Sequence, residues 1–161
     1  MEHRIVPNLW FDTEAEEAAE FYCSIFDNSR IVSVAPYPEN APRKAGMVMV
    51  VEFELDGERV VGINGGSQFK FDEAVSLQIN CEDQEEIDYF WEKLTDGGTE
   101  SQCGWLKDRY GLSWQVTPQG MDEVYAGEDR EKAQRVMQAM LKMGKLDIAT
   151  LEAAADGEPV A

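Results

Sequence analysis

Histidine is almost missing from this chain: among 161 residues only His3 carries an imidazole. That removes the commonest general base and the commonest transition-metal ligand from the body of the sequence. Cysteine is scarce too, with Cys23, Cys81 and Cys103 the three present. The count is odd and no Cys-x-x-Cys pair occurs, so a disulfide framework and a structural zinc site are both disfavoured. Basic residues are outnumbered, 14 against 32 acidic ones, for a formal charge of −18. Such a surface repels phosphate backbones and anionic lipid, which argues against nucleic acid and membrane as partners. Solubility is the plain reading of the acidity; a cationic partner is the functional one. Long apolar runs are absent as well. The longest, Met47 to Val51, falls far short of the roughly 20 residues a membrane span needs. Glu2 and His3 open the chain where a leader would be basic and then apolar, so the expected home is a reducing cytoplasm.

What is present suits a folded domain: 43% hydrophobic and 10% aromatic residues. Ile5 to Phe11 reads as a buried strand, with Pro7 near a sheet end or edge. Thr13-Glu14-Ala15-Glu16 has the form of a capping box, opening a helix with Ala15, Ala18, Ala19, Tyr22, Ile25 and Phe26 on one face. Asp27-Asn28 ends it. Arg30 to Ala35 is a strand, and Pro36 to Gly46, with three prolines, is a loop. Met47 to Leu55 and Arg59 to Asn64 form a hairpin about Asp56-Gly57. After the connector Gly65 to Phe71 the plan restarts. Val75 to Cys81 is a strand, Asp83 caps a helix striped by Ile87, Phe90, Trp91 and Leu94, and Gly97-Gly98 stops it. A closing hairpin runs from Thr99 to about Pro118. The order strand, helix, strands thus occurs twice, near 1–66 and 74–118, with the second half shorter by about one strand. Beyond Gly120 the pattern is helical. Asp129 caps a helix carrying Ala133, Val136, Met137, Met140 and Leu141, and Asp147 caps a last one ending near Ala155. That stripe must bury itself on the sheet or on a second subunit. The expected architecture is α+β, one domain over 1–161, with C-terminal helices near 129–155.

The stretch from Gln102 to Val116 is the most specific: two apolar-aromatic strands about a polar turn, Lys107-Asp108-Arg109-Tyr110. Together with Leu9-Trp10-Phe11-Asp12, Ala15-Glu16-Glu17-Ala18, Phe21-Tyr22, Ser29-Arg30-Ile31, Asn64-Gly65-Gly66, Phe69-Lys70-Phe71 and Lys132 to Met140, it resembles the PhnB-like branch of the glyoxalase/bleomycin-resistance (vicinal oxygen chelate) superfamily. The resemblance spans Val6 to about Ala155. It implies paired βαβββ modules around a cavity, and a homodimer. Metal-dependent members hold a divalent cation with four side chains from the strands. The resemblance places the equivalent positions here at Asn8, near Asn64, at Ser76 (or Gln78) and at Gln115. Only Gln115 has a side chain used in such sites, and neutral amides and a hydroxyl bring no charge to offset dehydration of the ion. No catalytic metal and no other cofactor is therefore expected. Relatives are often labelled 3-demethylubiquinone 3-methyltransferases. For S-adenosylmethionine a glycine-rich turn should open a helix, whereas Asn64-Gly65-Gly66-Ser67 follows a hairpin strand.

Individual residues divide between packing and recognition. Trp10, Trp105 and Trp114 are core by default, yet at least one is expected to line a ligand pocket. Cys103 has no neighbouring base in sequence and reads as a small packed hydrophobe, close enough to the hairpin to border the pocket. Asn64, Gln78 and Gln115 either satisfy one another or face a wet cavity. His3 reads as a solvent-facing terminal residue. The candidate pocket is thus Asn8, Trp10, Asn64, Ser76, Gln78, Cys103, Trp105, Trp114 and Gln115. The expected function is small-molecule binding without a catalytic metal. The alternatives are an enzyme of the same fold, of lyase, isomerase or transferase class, acting on a small oxygenated substrate, and a protein-interaction subunit.

Overall fold

A computed structural model describes residues 4–158. The chain divides into two compact units, Met1–Lys70 and Phe71–Ala161. Each carries one βαβββ module, and the two modules share a strand order.

In the first unit β1 (Asn8–Phe11) leads to α1 (Ala15–Ile25), then β2 (Arg30–Pro36), β3 (Val48–Leu55) and β4 (Glu58–Asn64). The four strands lie in the order β1-β4-β3-β2, with β1 parallel to β4 and the rest antiparallel. The first strand starts after Pro7, whose carbonyl accepts from Val61 N–H but which has no N–H to give. The β3–β4 turn is the one its residues demand. Asp56 and Gly57 both have positive φ, 47° and 80°, as a type I′ hairpin turn requires. Helix α1 buries Ala15, Ala18, Ala19, Tyr22 and Ile25 against a sheet face carrying Val51, Phe53, Leu55 and Val60. Small alanines let the helix approach the sheet, and Tyr22 stacks on Phe53 at 6.4 Å.

One expected feature is corrected here. Thr13 does not cap α1. The N-cap position is Glu14, with no side-chain cap bond. Instead Asn64, at the end of β4, accepts from Ala15 N–H at 2.9 Å. A buried amide from the adjacent strand satisfies the orphan donor.

In the second unit β5 (Ser76–Cys81) and α2 (Gln84–Thr95) precede β6 (Thr99–Glu100), β7 (Trp105–Lys107) and β8 (Ser113–Pro118). The order is β5-β8-β7-β6, again with the first and last strands parallel. The second module is not a strand short. Its extra strand, β6, has only two residues, too few for any periodicity. Asp83 caps α2 as expected, accepting from Glu86 N–H, while Glu86 Oε2 accepts from Glu82 N–H at 2.8 Å. Ile87, Trp91 and Leu94 form the buried stripe. The turn after β7 is not wholly exposed. Asp108 is buried, its Oδ1 accepting from Tyr110 and Leu112 N–H and its Oδ2 from Trp114 Nε1 at 2.8 Å. A buried carboxylate is tolerable only when its lone pairs are taken up this way.

The C-terminal segment forms α3 (Met121–Ala126), α4 (Arg130–Met140) and α5 (Ile148–Asp156). Asp129 and Asp147 cap the last two. Their apolar faces meet in a small core of Val136, Ala139, Leu146, Leu151 and Ala154. Met137 and Leu141, expected in the stripe, stay largely exposed. The segment is tied to module 2 by backbone bonds from Cys103 and Gly104 N–H to the Met143 and Gly144 carbonyls. Gln84 clamps the start of α5, donating to Leu146 O and accepting from Ile148 N–H.

Candidate functional site

Strand alternation sorts the candidate residues into faces. In module 2 Ser76 pairs with Ser113, Gln78 with Gln115 and Asn80 with Thr117. Successive side chains point to opposite sides, so these six polar groups share one face. Trp105 joins them opposite Gln115 and Lys107 opposite Ser113, with Thr99 of β6 beside Lys107. The other face carries Ile79, Leu106, Trp114 and Val116 toward α2.

The polar face is a ladder of neutral groups. Gln115 Nε2 donates to Ser76 Oγ at 2.9 Å and Gln78 Nε2 to Asn80 Oδ1 at 2.7 Å. Thr117 Oγ1 donates to Ile79 O at 3.2 Å and lies 3.4 Å from Asn80 Oδ1. The side-chain oxygens of Gln78 and Gln115 take no hydrogen bond from another described residue. Toward the β6 edge the surface sinks into a cavity of about 300 Å³ lined by Glu73, Thr99, Ser101, Trp105, Lys107 and Ser113, among others. Lys107 forms an ion pair with Glu73, and that hydrogen bond holds the Glu73 carboxyl below its ordinary range. Ser113 is 1% exposed, and its hydroxyl has no hydrogen-bond partner among the described residues. An orphan of that kind in a native site calls for a reason.

The candidates therefore separate. Ser76, Gln78, Trp105 and Gln115 come together on this face. Trp114 lies on the opposite one, 2% exposed and bonded to Asp108. Cys103 sits in the bend between β6 and β7 with φ 60°, at the junction with the C-terminal segment. Asn80, Thr117, Glu73 and Ser113 belong to the site and were not singled out from the sequence, where Lys107 stood only as part of the polar turn Lys107-Asp108-Arg109-Tyr110. The first two were readable there, because Ser-x-Gln-x-Asn and Ser-x-Gln-x-Thr each repeat polar side chains at period two.

In module 1 the candidates are tied down otherwise. Asn8 is exposed and donates to Val6 O. Asn64 pairs with Phe11 and Asn8 with Val61, which puts the two amides on opposite faces of the sheet. Asn64 is 1% exposed, and besides holding Ala15 N–H it donates to Val48 O at 3.0 Å. Trp10 donates to Gly66 O at 2.8 Å and meets Phe69 edge-on at 5.0 Å. The sheet surface beside Asn8 carries ion pairs, Arg59–Glu52 at 2.6 Å and Arg30–Glu54 at 2.8 Å.

His3 lies outside the described residues. Among those described, no group of three or more His, Cys, Asp or Glu side chains could hold a metal ion. The ladder offers amides and hydroxyls, a poor donor set for a transition metal. Two of the thiols are held in the unreactive form: burial pushes Cys81 up to about 12, with Glu86 and Asp83 adding to the rise, and burial raises Cys23. The Asn64-Gly65-Gly66 turn is filled from within, since a Cβ at Gly65 would fall inside the Trp10 ring. Its close approach serves the indole, so it does not fit a nucleotide-type cofactor. No helix among the described residues is long and apolar enough to cross a membrane.

Known proteins bear on this geometry. The family profile of 3-demethylubiquinone-9 3-methyltransferase matches residues 3–117. It does not reach the helical stretch at Lys132–Met140, where resemblance was also expected. The PhnB protein from Bacillus cereus is 40% identical, with a TM-score of 0.67, over 72% of this chain and 99% of its own. Protein PA1353 from Pseudomonas aeruginosa is 18% identical with a TM-score of 0.61, over 73% of this chain and 98% of its own. The fosfomycin resistance protein FosX from Listeria monocytogenes, described in complex with Mn(II) and sulfate, is 14% identical with a TM-score of 0.52, over 78% and 97%. These two show likeness of fold alone. No curated protein matches the chain. The duplicated βαβββ plan, the family profile and the Bacillus cereus relative lead to one conclusion: the chain belongs to the PhnB-like 3-demethylubiquinone-9 3-methyltransferase family, within the glyoxalase/bleomycin-resistance superfamily.

Proposed function

We propose that this protein binds a small molecule on the polar face of module 2 and does so without a catalytic metal. The observation that carries the reading is the cluster of Ser76, Gln78, Trp105 and Gln115 on one face beside a cavity of about 300 Å³. Neutral donors and acceptors flanked by an indole recognise a polar, partly aromatic compound. Amides and hydroxyls are poor ligands for a Lewis-acid metal, and burial raises the Cys23 and Cys81 thiols, which favours holding over transforming. The alternative is an enzyme of the same fold in which the amides steady an oxyanion. The protein is further proposed to act in the cytoplasm as a homodimer; the three free cysteines agree with a reducing compartment.

A thermal-shift screen of metabolites and aromatic drugs, with and without Mn(II), Ni(II), Zn(II) or Co(II), tests the proposal. The expected result is a metal-independent rise in melting temperature with selected compounds, and no turnover of them by mass spectrometry. Stabilisation that appears only with a divalent metal would overturn it.

A further inference from the structure

Within the proposed binding face, and resting on that reading, one corner has a chemistry of its own. Ser113 and Lys107 are cross-strand partners on β8 and β7. The hydroxyl is buried and has no partner among the described residues. The ammonium is paired from outside the sheet, by Glu73 in the segment before β5, whose side chain is 65% exposed. Glu100 also borders the cavity. It pairs with Leu106 rather than Lys107 and is turned to the helix side, where it accepts from Trp91 Nε1 at 2.8 Å. The corner thus offers an ammonium and a hydroxyl donor side by side, with an indole from Trp105 two residues along β7.

We propose that this corner is a carboxylate subsite and that Glu73 is its internal surrogate. A ligand carboxylate takes the place of the Glu73 carboxylate on Lys107 and accepts the free Ser113 hydroxyl, while an aromatic body lies against Trp105. Surface ion pairs of this exposure contribute little to stability, so exchange of one carboxylate for another is easy. The gain comes from satisfying the buried hydroxyl. Lys107 is the one cation among the described residues lining the cavity, so a monoanion suits it better than a doubly charged phosphate. A volume near 300 Å³ holds a compound with a single ring.

The test uses the full chain, benzoate as probe and benzamide as its neutral isostere, followed by the Trp105 indole N–H resonance in NMR titrations. Benzoate is expected to shift that resonance and to bind about tenfold tighter than benzamide. Lys107→Met should weaken benzoate about tenfold and Ser113→Ala by several-fold, while Glu73→Gln, which removes the competitor, should tighten it several-fold. Melting curves check that each variant folds; Glu73 is exposed, so its variant keeps the test decisive if Ser113→Ala does not fold. Equal binding of benzoate and benzamide, or weaker benzoate binding to Glu73→Gln, overturns the carboxylate subsite and leaves small-molecule binding on this face standing. Failure of every compound in the wider screen, charged or neutral, to move any resonance of the module 2 face sinks both.

Discussion

Two modules with the same strand order have put their polar side chains to different uses. In module 1 the amide at the end of the last strand, Asn64, is spent on the framework. It caps α1 and holds the Val48 carbonyl. In module 2 the helix is capped locally by Asp83, and the amides of β5 and β8 stay on the open face. Module 1 balances the open surface of its sheet with Arg–Glu pairs, whereas module 2 lines the strands β5 and β8 with neutral groups and carries the Lys107–Glu73 pair at its cavity. The lesson is that the face decides the use: an amide on the helix side of its sheet serves the frame, and amides on the open side are left for recognition.

The largest expected effect sharpens the module 1 side. Gly65→Ala places a methyl inside the Trp10 ring, so the indole must move and lose its bond to Gly66. We expect about 3 kcal/mol of destabilisation from the overpacking and the lost bond, measured by urea unfolding; an unchanged midpoint would show that the pocket under Gly65 is soft. Next comes Asn64→Ala, which strands the buried Ala15 N–H and the half-buried Val48 carbonyl and should remove about 2 kcal/mol. The matching change in module 2, Asp83→Ala, removes an exposed local cap worth about 1 kcal/mol. If the two cost the same, the contrast between distant and local capping fails.

A smaller effect concerns the C-terminal segment. Hydrogen bonds from Thr150 hold the Asp147 carboxyl below its usual 3.8, and those from Lys145 and Gln84 do so for Asp88. A depressed carboxyl stabilises the fold above its unfolded pKa and loses that contribution as pH falls through the folded value. The start of α5 should therefore hold its full protection above about pH 4 and loosen below it. The protection factor of the Thr150 amide followed from pH 6 to pH 3 measures this, with Asp147→Ala giving a less protected baseline of weaker pH dependence. Exchange at Thr150 that shows no such loosening would rule out these carboxylates as the tether.

Much of the fold was legible in the sequence because its signals are local. Alanines at helical spacing, Asp56-Gly57, and aspartates ahead of apolar stripes at 83, 129 and 147 each speak for themselves. What was not legible is what depends on distant residues. The capping sequence at Thr13 lost to Asn64, 49 positions beyond Ala15. Strand β6 is too short to show a pattern. The site was half legible. Period two groups Gln78 with Asn80 and Gln115 with Thr117, and it also separates Trp114 from Gln115, since neighbours in a strand cannot share a face. The Glu73–Lys107 pair and the orphan Ser113 hydroxyl need coordinates.

The central claim is that module 2 receives a small molecule and that no metal mediates it. Side-chain NMR of the full chain, titrated with the best compound from the screen before and after chelation with EDTA, tests this most directly. The account predicts shifts at the Trp105 indole and at the Gln78 and Gln115 amides, quiet Asn64 and Trp10 signals, and the same affinity in both titrations. Shifts centred on Asn64 and Trp10, or binding that vanishes with the chelator, would contradict it.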